Sequence, residues 1–84
     1  MFRVIFDEKA IESLEKLEYK IKERIYKKII STKEKPFHYF EKLTKRNEYK
    51  LRAGNYRVIA DVDEKSNKII VLFVGHRKNI YKNY

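Results

Sequence analysis

Lys50, Arg52 and Arg57 crowd into one short stretch, and Arg77 and Tyr81 follow near the end of the chain, behind Gly75 and His76. Cations and a tyrosine, without a paired carboxylate or a metal-ligand cluster, suit one chemistry well: cleavage of a phosphodiester in RNA. The substrate brings its own nucleophile, the 2′-hydroxyl. The protein has only to align it, move two protons and stabilise a phosphorane-like transition state. Arginine and lysine perform the last task, with bidentate arginine–phosphate contacts the strongest. Tyrosine, with an ordinary pKa near 10, is drawn toward its phenolate by surrounding cations. Proton transfer of this kind contributes about 10²–10⁴ in rate. His76 is either a structural neighbour of Gly75 or a second proton carrier. This chemistry calls for no cofactor and no metal.

Such groups work together only if the fold brings them to one surface. Phe2–Phe6 is β-branched and aromatic and reads as a strand. Asp7 stands where an N-cap belongs, with Glu8 in the first turn of the helix that follows. Ala10, Ile11, Leu14 and Leu17 make one helical stripe; Ile21, Ile25 and Ile29 make a second, joined by Tyr26 and Ile30. A connection at Glu18–Lys20 turns the two into a hairpin, which Lys33–Pro36 ends. Residues 37–47 read as irregular, anchored by Phe37, Phe40 and Leu43. Strands are predicted at Glu48–Arg52, Tyr56–Asp63 and Lys68–Arg77, with turns at Ala53–Asn55 and Glu64–Asn67. The order is β-α-α-β-β-β. It predicts an α+β domain of two layers, a helical hairpin packed on one face of a small antiparallel sheet. Alternation then sends Tyr49, Leu51, Tyr56, Val58 and Val62 toward the helices and Lys50, Arg52, Arg57, Ile59 and Asp61 to the uncovered face. In the last strand, pattern alone leaves open whether His76 or Arg77 joins that cationic set.

With 84 residues the chain makes one domain, residues 1–84, and no second core. The net charge of +9 speaks about partners: nucleic acid, an anionic membrane or an acidic protein. A membrane fits least, because the longest apolar run, Ile69–Val74, is far short of the roughly 20 residues that span a bilayer. Asp7 and Glu8 interrupt the apolar start, so no signal peptide is expected. The absence of cysteine excludes a disulfide framework and thiolate metal sites. Cytoplasm is the expected location.

The segment Tyr49-Lys50-Leu51-Arg52-Ala53-Gly54-Asn55-Tyr56-Arg57-Val58-Ile59 resembles the Y-K-L-R-x-G-x-Y-R-hydrophobic core of the RelE toxins, in the RelE/ParE superfamily. Gly75-His76-Arg77-Lys78-Asn79-Ile80-Tyr81 resembles that family's terminal G-H-R-x-x-hydrophobic-Y. Both motifs occur in the family's order, and the resemblance covers the chain. It implies a toxin that cleaves mRNA in the ribosomal decoding site, leaving a 2′,3′-cyclic phosphate. It also implies an acidic, helix-rich, RelB-like antitoxin that blocks the site, within a heteromer of several chains. By the same resemblance Arg57 and Arg77 stabilise the scissile phosphate, Tyr81 transfers the proton, and Lys50 binds the backbone near the cut; Arg52, which alternation places on the same face, is expected to bind RNA beside it. Lys42, Lys45 and Arg46 are either a solvated charge run or a sequence-independent grip on ribosomal RNA. One departure lies two positions before Lys50, where the best-known members carry lysine and this chain carries Glu48. Two rival expectations stand beside the nuclease: a ParE-like toxin that binds DNA gyrase without cutting RNA, and a non-catalytic basic RNA-binding module.

Overall fold

The computed structural model describes residues 1–80. The chain runs β1 (Arg3–Phe6), α1 (Glu8–Glu15), α2 (Tyr19–Ser31), a 3₁₀ turn (Pro36–His38), β2 (Glu41–Lys42), β3 (Tyr49–Ala53), β4 (Tyr56–Asp63) and β5 (Lys68–His76). The strands form one sheet in the order β1-β5-β4-β3-β2, with both helices on one face. The α+β class, the two layers and the order of the main elements are as the sequence predicts. Two features differ. The irregular stretch contains the two-residue strand β2, too short for alternation to show. The sheet is also mixed, because β1 pairs parallel to β5 while every other pair is antiparallel.

Asp7 precedes α1 in extended conformation (φ −69°, ψ 158°), but its side chain makes no capping bond. The helix starts instead on the Asp7 carbonyl, which accepts Ile11 N–H at 3.0 Å. Helix α2 ends at Ser31, and buried Thr32 closes it, its Oγ1 donating to the Ile29 carbonyl at 2.6 Å. Thus the chain has left the helix before Pro36 is reached. Ile25 and Ile29 are sealed from solvent over Leu51, Val58 and Ala60. Burial of side chains this size contributes about 1.5–3 kcal/mol each. Ile11, expected in the core, is 45% exposed, and Phe37 is exposed too. The α1 stripe is narrow, and Ala10 and Leu14 fill it without Ile11.

The register of β5 resolves its faces. Ile59 of β4 faces Phe73, yet its neighbour Ala60 faces Val71, so Leu72 has no partner across the ladder. This bulge resets the alternation. Val71 and Val74 both turn toward the helices, while Phe73 and Gly75 turn away, opposite Ile59 and Arg57. Beyond the end of β1, α1 takes over the edge of β5, where Ser13 Oγ accepts Val74 N–H at 3.1 Å.

The β4–β5 turn is held by Asp63, whose carboxylate accepts Ser66 Oγ–H at 2.6 Å and Lys65 N–H at 3.0 Å. These bonds lower the Asp63 pKa, the Ser66 hydroxyl contributing most. Asp61, on the same strand, goes the other way: desolvation first, then Glu48 and Asp63, raise it. The two carboxyls therefore have opposite linkage. Asp63 stabilises the fold above the ordinary carboxylate range and loses that contribution as pH falls through its lowered value. Asp61 contributes below the ordinary range and loses this as pH rises through its raised value. Urea midpoints should show Asp63→Asn destabilised at pH 7 and Asp61→Asn stabilised at pH 7, with both differences shrinking toward pH 2.

Candidate active site

On the face away from the helices, the β3–β4 hairpin sets Arg52 directly opposite Arg57 and Lys50 opposite Ile59. Strand β2 adds Glu41 opposite Lys50. Together Tyr39, Glu41, Lys50, Arg52 and Arg57 line a cleft of about 210 Å³. The predicted face assignment for Lys50, Arg52 and Arg57 is therefore the observed one. Arg57 is half-buried, and its Nε is sealed from solvent without a hydrogen-bond partner, alone in this among buried side-chain polar atoms of the described residues. A buried donor left unsatisfied costs about 1–3 kcal/mol, more when charged.

This face is not bare, as alternation alone suggests. Ile59, Leu43 and Ile80 are buried there and pack with Phe73 into a second, smaller core, which chain length alone did not lead one to expect. Ile80 comes from the tail. After β5, Asn79 N–H donates to the His76 carbonyl at 2.9 Å and the chain turns back onto the sheet. Gly75 makes room for it: a Cβ there would stand 2.9 Å from Ile80 Cδ1 and 3.2 Å from the Phe73 ring. Backbone φ at Gly75 is not in the left-handed region, so what this glycine supplies is space. Thus the glycine and the hydrophobic position of the second motif serve one purpose, which is to dock the tail beside the cationic strands. Tyr81, the residue expected to transfer the proton, lies outside the described residues.

Other expected site residues are dispersed. Arg77 is exposed at the end of the sheet, its N–H donating to the Asn55 carbonyl at 2.8 Å, and it is not in the cleft lining. His76 lies opposite Tyr56 on the helix side, with the rings 5.4 Å apart edge to face, and its Nδ1 accepts Lys78 N–H at 3.2 Å. The structure does not bring it to Arg57. Lys42 pairs with Tyr49 and so points to the side opposite Glu41. Lys45, in the left-handed region at φ 64°, turns the β2–β3 loop. Arg46 shares a hollow of about 310 Å³ with Leu43, Thr44 and Lys50. Its Nε lies 3.0 Å from Glu48, so the departure at Glu48 is an ion pair beside the site and not a charge within it.

Two cleft residues escaped the sequence. Tyr39, with Lys28 Nζ 5.4 Å from its ring centre, forms one wall, and Glu41 another. Both lie in the stretch read as irregular. The signal was slight: Phe40 buried between two exposed neighbours is one step of alternation.

What this fold and this face define together is a small toxin of the RelE/ParE superfamily. The match is specific at the level of sequence: residues 4–81 fit the model of the ParE toxin of type II toxin–antitoxin systems, parDE, and the chain belongs to that family. No curated protein sequence matches it. Among solved structures it is similar to the toxin–antitoxin complex RelBE2 from Mycobacterium tuberculosis, at a TM-score of 0.84 and 23% identity over 90% of this chain and 98% of that one. The intact RelBE complex of E. coli is similar at a TM-score of 0.75 and 28% identity, covering 90% and 96%. The RelB–RelE complex of Methanococcus jannaschii follows at 0.73 and 26%, covering 95% and 98%.

Docking of the tail through Ile80 can be measured. Ile80→Ala should cost about 2–5 kcal/mol in urea unfolding, as for other buried isoleucines. Gly75→Val should cost about 1–3 kcal/mol through overpacking. In both variants the cleft residues themselves are untouched.

Proposed function

We propose that this toxin is an endoribonuclease that cuts mRNA in the ribosomal decoding site, using side chains alone. The 2′-hydroxyl attacks the adjacent phosphorus, the bond to the 5′-oxygen breaks, and a 2′,3′-cyclic phosphate remains. Arg57 and Arg77 stabilise the charge on the phosphate oxygens, Lys50 and Arg52 hold the backbone beside the cut, and Tyr81 transfers a proton. Lys42, Lys45 and Arg46 contact ribosomal RNA without reading its sequence. His76, packed on Tyr56, serves in this reading as a structural residue. The reading places the protein in the cytoplasm with the ribosomes.

One observation supports it above the others: Arg57, Arg52 and Lys50 line a single cleft. Three cations grouped in this way suit the oxygens of a phosphate, which arginine and lysine bind by charge-assisted hydrogen bonds. A rival reading draws on the family model, whose description names ParE. It makes the protein a gyrase-binding toxin that leaves RNA intact.

An acidic, helix-rich antitoxin of the RelB type is the proposed partner, in a complex of more than two chains. The RelBE structures similar to this chain are themselves toxin–antitoxin complexes. The helical layer also offers a seat. Between α1 and α2 lies an open groove of about 440 Å³ lined by Phe6, Ile11, Leu14, Tyr19 and Tyr26, with Glu15, Lys22 and Glu23 at its rim. Ile11, Tyr19 and Tyr26 are 45%, 67% and 49% exposed. Apolar side chains grouped in this way mark an interaction surface.

Two measurements test these proposals. Purified toxin added to translating ribosomes should produce new message ends. Arg57→Ala should slow cleavage by about 10²–10³, the usual loss on removing one transition-state donor, and Tyr81→Phe should slow it comparably. Intact messages at full ribosome occupancy, with gyrase inhibited instead, would establish the rival. Co-expression with the product of the neighbouring gene should yield a complex, which Ile11→Glu or Tyr26→Ala weakens about tenfold or more while sparing cleavage.

A further inference from the structure

Four phenylalanine and tyrosine rings stand exposed among the described residues, those of Tyr19, Tyr26, Phe37 and Tyr39. Three of them are fastened to the protein. Phe37 meets Phe2 and Tyr49 edge to face at 6.3 and 5.6 Å, and Tyr26 stacks on Phe6 at 5.9 Å. The Tyr19 hydroxyl donates to Glu23 at 3.0 Å. Tyr39 differs. It is 47% exposed, and among the described residues it meets no other ring and its hydroxyl has no hydrogen-bond partner. What it meets is a cation, the Lys28 ammonium, 5.4 Å from the ring centre.

Its backbone is nevertheless pinned. Pro36 and Phe40 are buried, and the Pro36 carbonyl accepts both Tyr39 N–H at 3.0 Å and Phe40 N–H at 2.8 Å. Two residues after Tyr39, β2 begins with Glu41 opposite Lys50. Tyr39 is thereby fixed in the wall of the cleft that Lys50, Arg52 and Arg57 also line. A phosphate alone requires charge and hydrogen-bond donors, and no aromatic wall. A nucleotide requires both, because each phosphate of an RNA chain has a base beside it. Unpaired RNA is held in this way, with cations along its backbone and aromatic rings against its splayed bases.

We infer that Tyr39 is the base-stacking platform of the site, holding the nucleobase next to the phosphate that Lys50, Arg52 and Arg57 bind. This inference rests on the nuclease reading above and concerns a part of the substrate to which that reading assigns no residue. Lys28 covers one face of the ring and leaves the other for the base. Its ammonium also adds to the attraction felt by a polyanion. Stacking reads no hydrogen-bonding edge, so the platform tolerates every base and prefers only those that stack more strongly. The base is held equally before and during the transfer at phosphorus. The contact therefore acts on substrate binding and not on the chemical step.

The chain contains no tryptophan, so Tyr39→Trp introduces a single fluorescent reporter at the position in question. A short oligoribonucleotide, 2′-O-methylated against cleavage, is titrated into this variant, and so is an abasic sugar–phosphate oligomer of equal length. The inference expects quenching by the first and not by the second, although both carry the phosphates. An equal response to both, or none to either, overturns it. Message cleavage on programmed ribosomes is measured alongside for Tyr39→Phe, Tyr39→Leu and Tyr39→Ala, with urea midpoints confirming that each is folded. Tyr39→Phe should keep the wild-type KM, because the ring remains. Tyr39→Leu and Tyr39→Ala should raise KM about 5–150-fold at unchanged kcat, the usual loss for one stacked base. Wild-type KM in both of these variants overturns the inference and leaves the nuclease reading intact. Wild-type protein that occupies ribosomes and cuts nothing overturns that reading, and this inference with it.

Discussion

One unmatched residue in β5 governs the layout of this protein. Without the bulge at Leu72, strict alternation would keep Ile69, Val71, Phe73 and Gly75 on a single face. With it, Val74 joins Val71 beneath the helices, and Phe73 and Gly75 join Ile59 and Arg57 on the other side. The tail then has a place to return to. Ile80 fills the space above Gly75 and, with Leu43, covers the centre of a face that would otherwise expose Ile59 and Phe73. The cationic cleft opens beside this small core. A shift of one residue in a single strand thus decides which side of the sheet carries the second motif.

The sheet consequently separates two working surfaces. Its helical side carries the main core and, outermost, the groove with Ile11, Tyr19 and Tyr26. Its other side carries Lys50, Arg52 and Arg57 at one end and an acidic region at the other, where Glu48 and Asp63 help to raise Asp61. The charge on this face is therefore graded along the strands. A polyanion meets attraction at the β3–β4 turn and repulsion near the β4–β5 turn, which orients it as well as attracting it.

Much of this was legible in the residues. Tyr56–Asp63 was bounded correctly because its alternation is unbroken and both ends carry turn residues, Gly54-Asn55 before and Glu64–Asn67 after. The same alternation placed Lys50, Arg52 and Arg57 on one face. Three things escaped, each for its own reason. The bulge leaves no mark in Ile69–Val74, where every residue is apolar and the period is hidden. The parallel pairing of β1 with β5 joins segments at opposite ends of the chain, and local pattern does not report on it. Tyr39 and Glu41 lie in a segment whose shape comes from the 3₁₀ turn and a two-residue ladder, both below the length at which periodicity carries information. Ile11 failed in the opposite sense. Its spacing fits the stripe, but α1 lies on the sheet through Ala10 and Leu14, and the third apolar position is left over for the groove.

The parallel pair at the sheet's far side also bears on how the protein is made. β5 sits between β1 and β4, yet it follows every other strand in the chain. Until it has left the ribosome, β1 has nothing to pair with, β4 lacks one neighbour, and the two helices lack Ile69, Val71 and Val74 to pack on. Contacts this distant in sequence form late and slowly. The sheet, the tail that rests on it and the cleft beside that tail are accordingly completed only after translation has delivered the last strand.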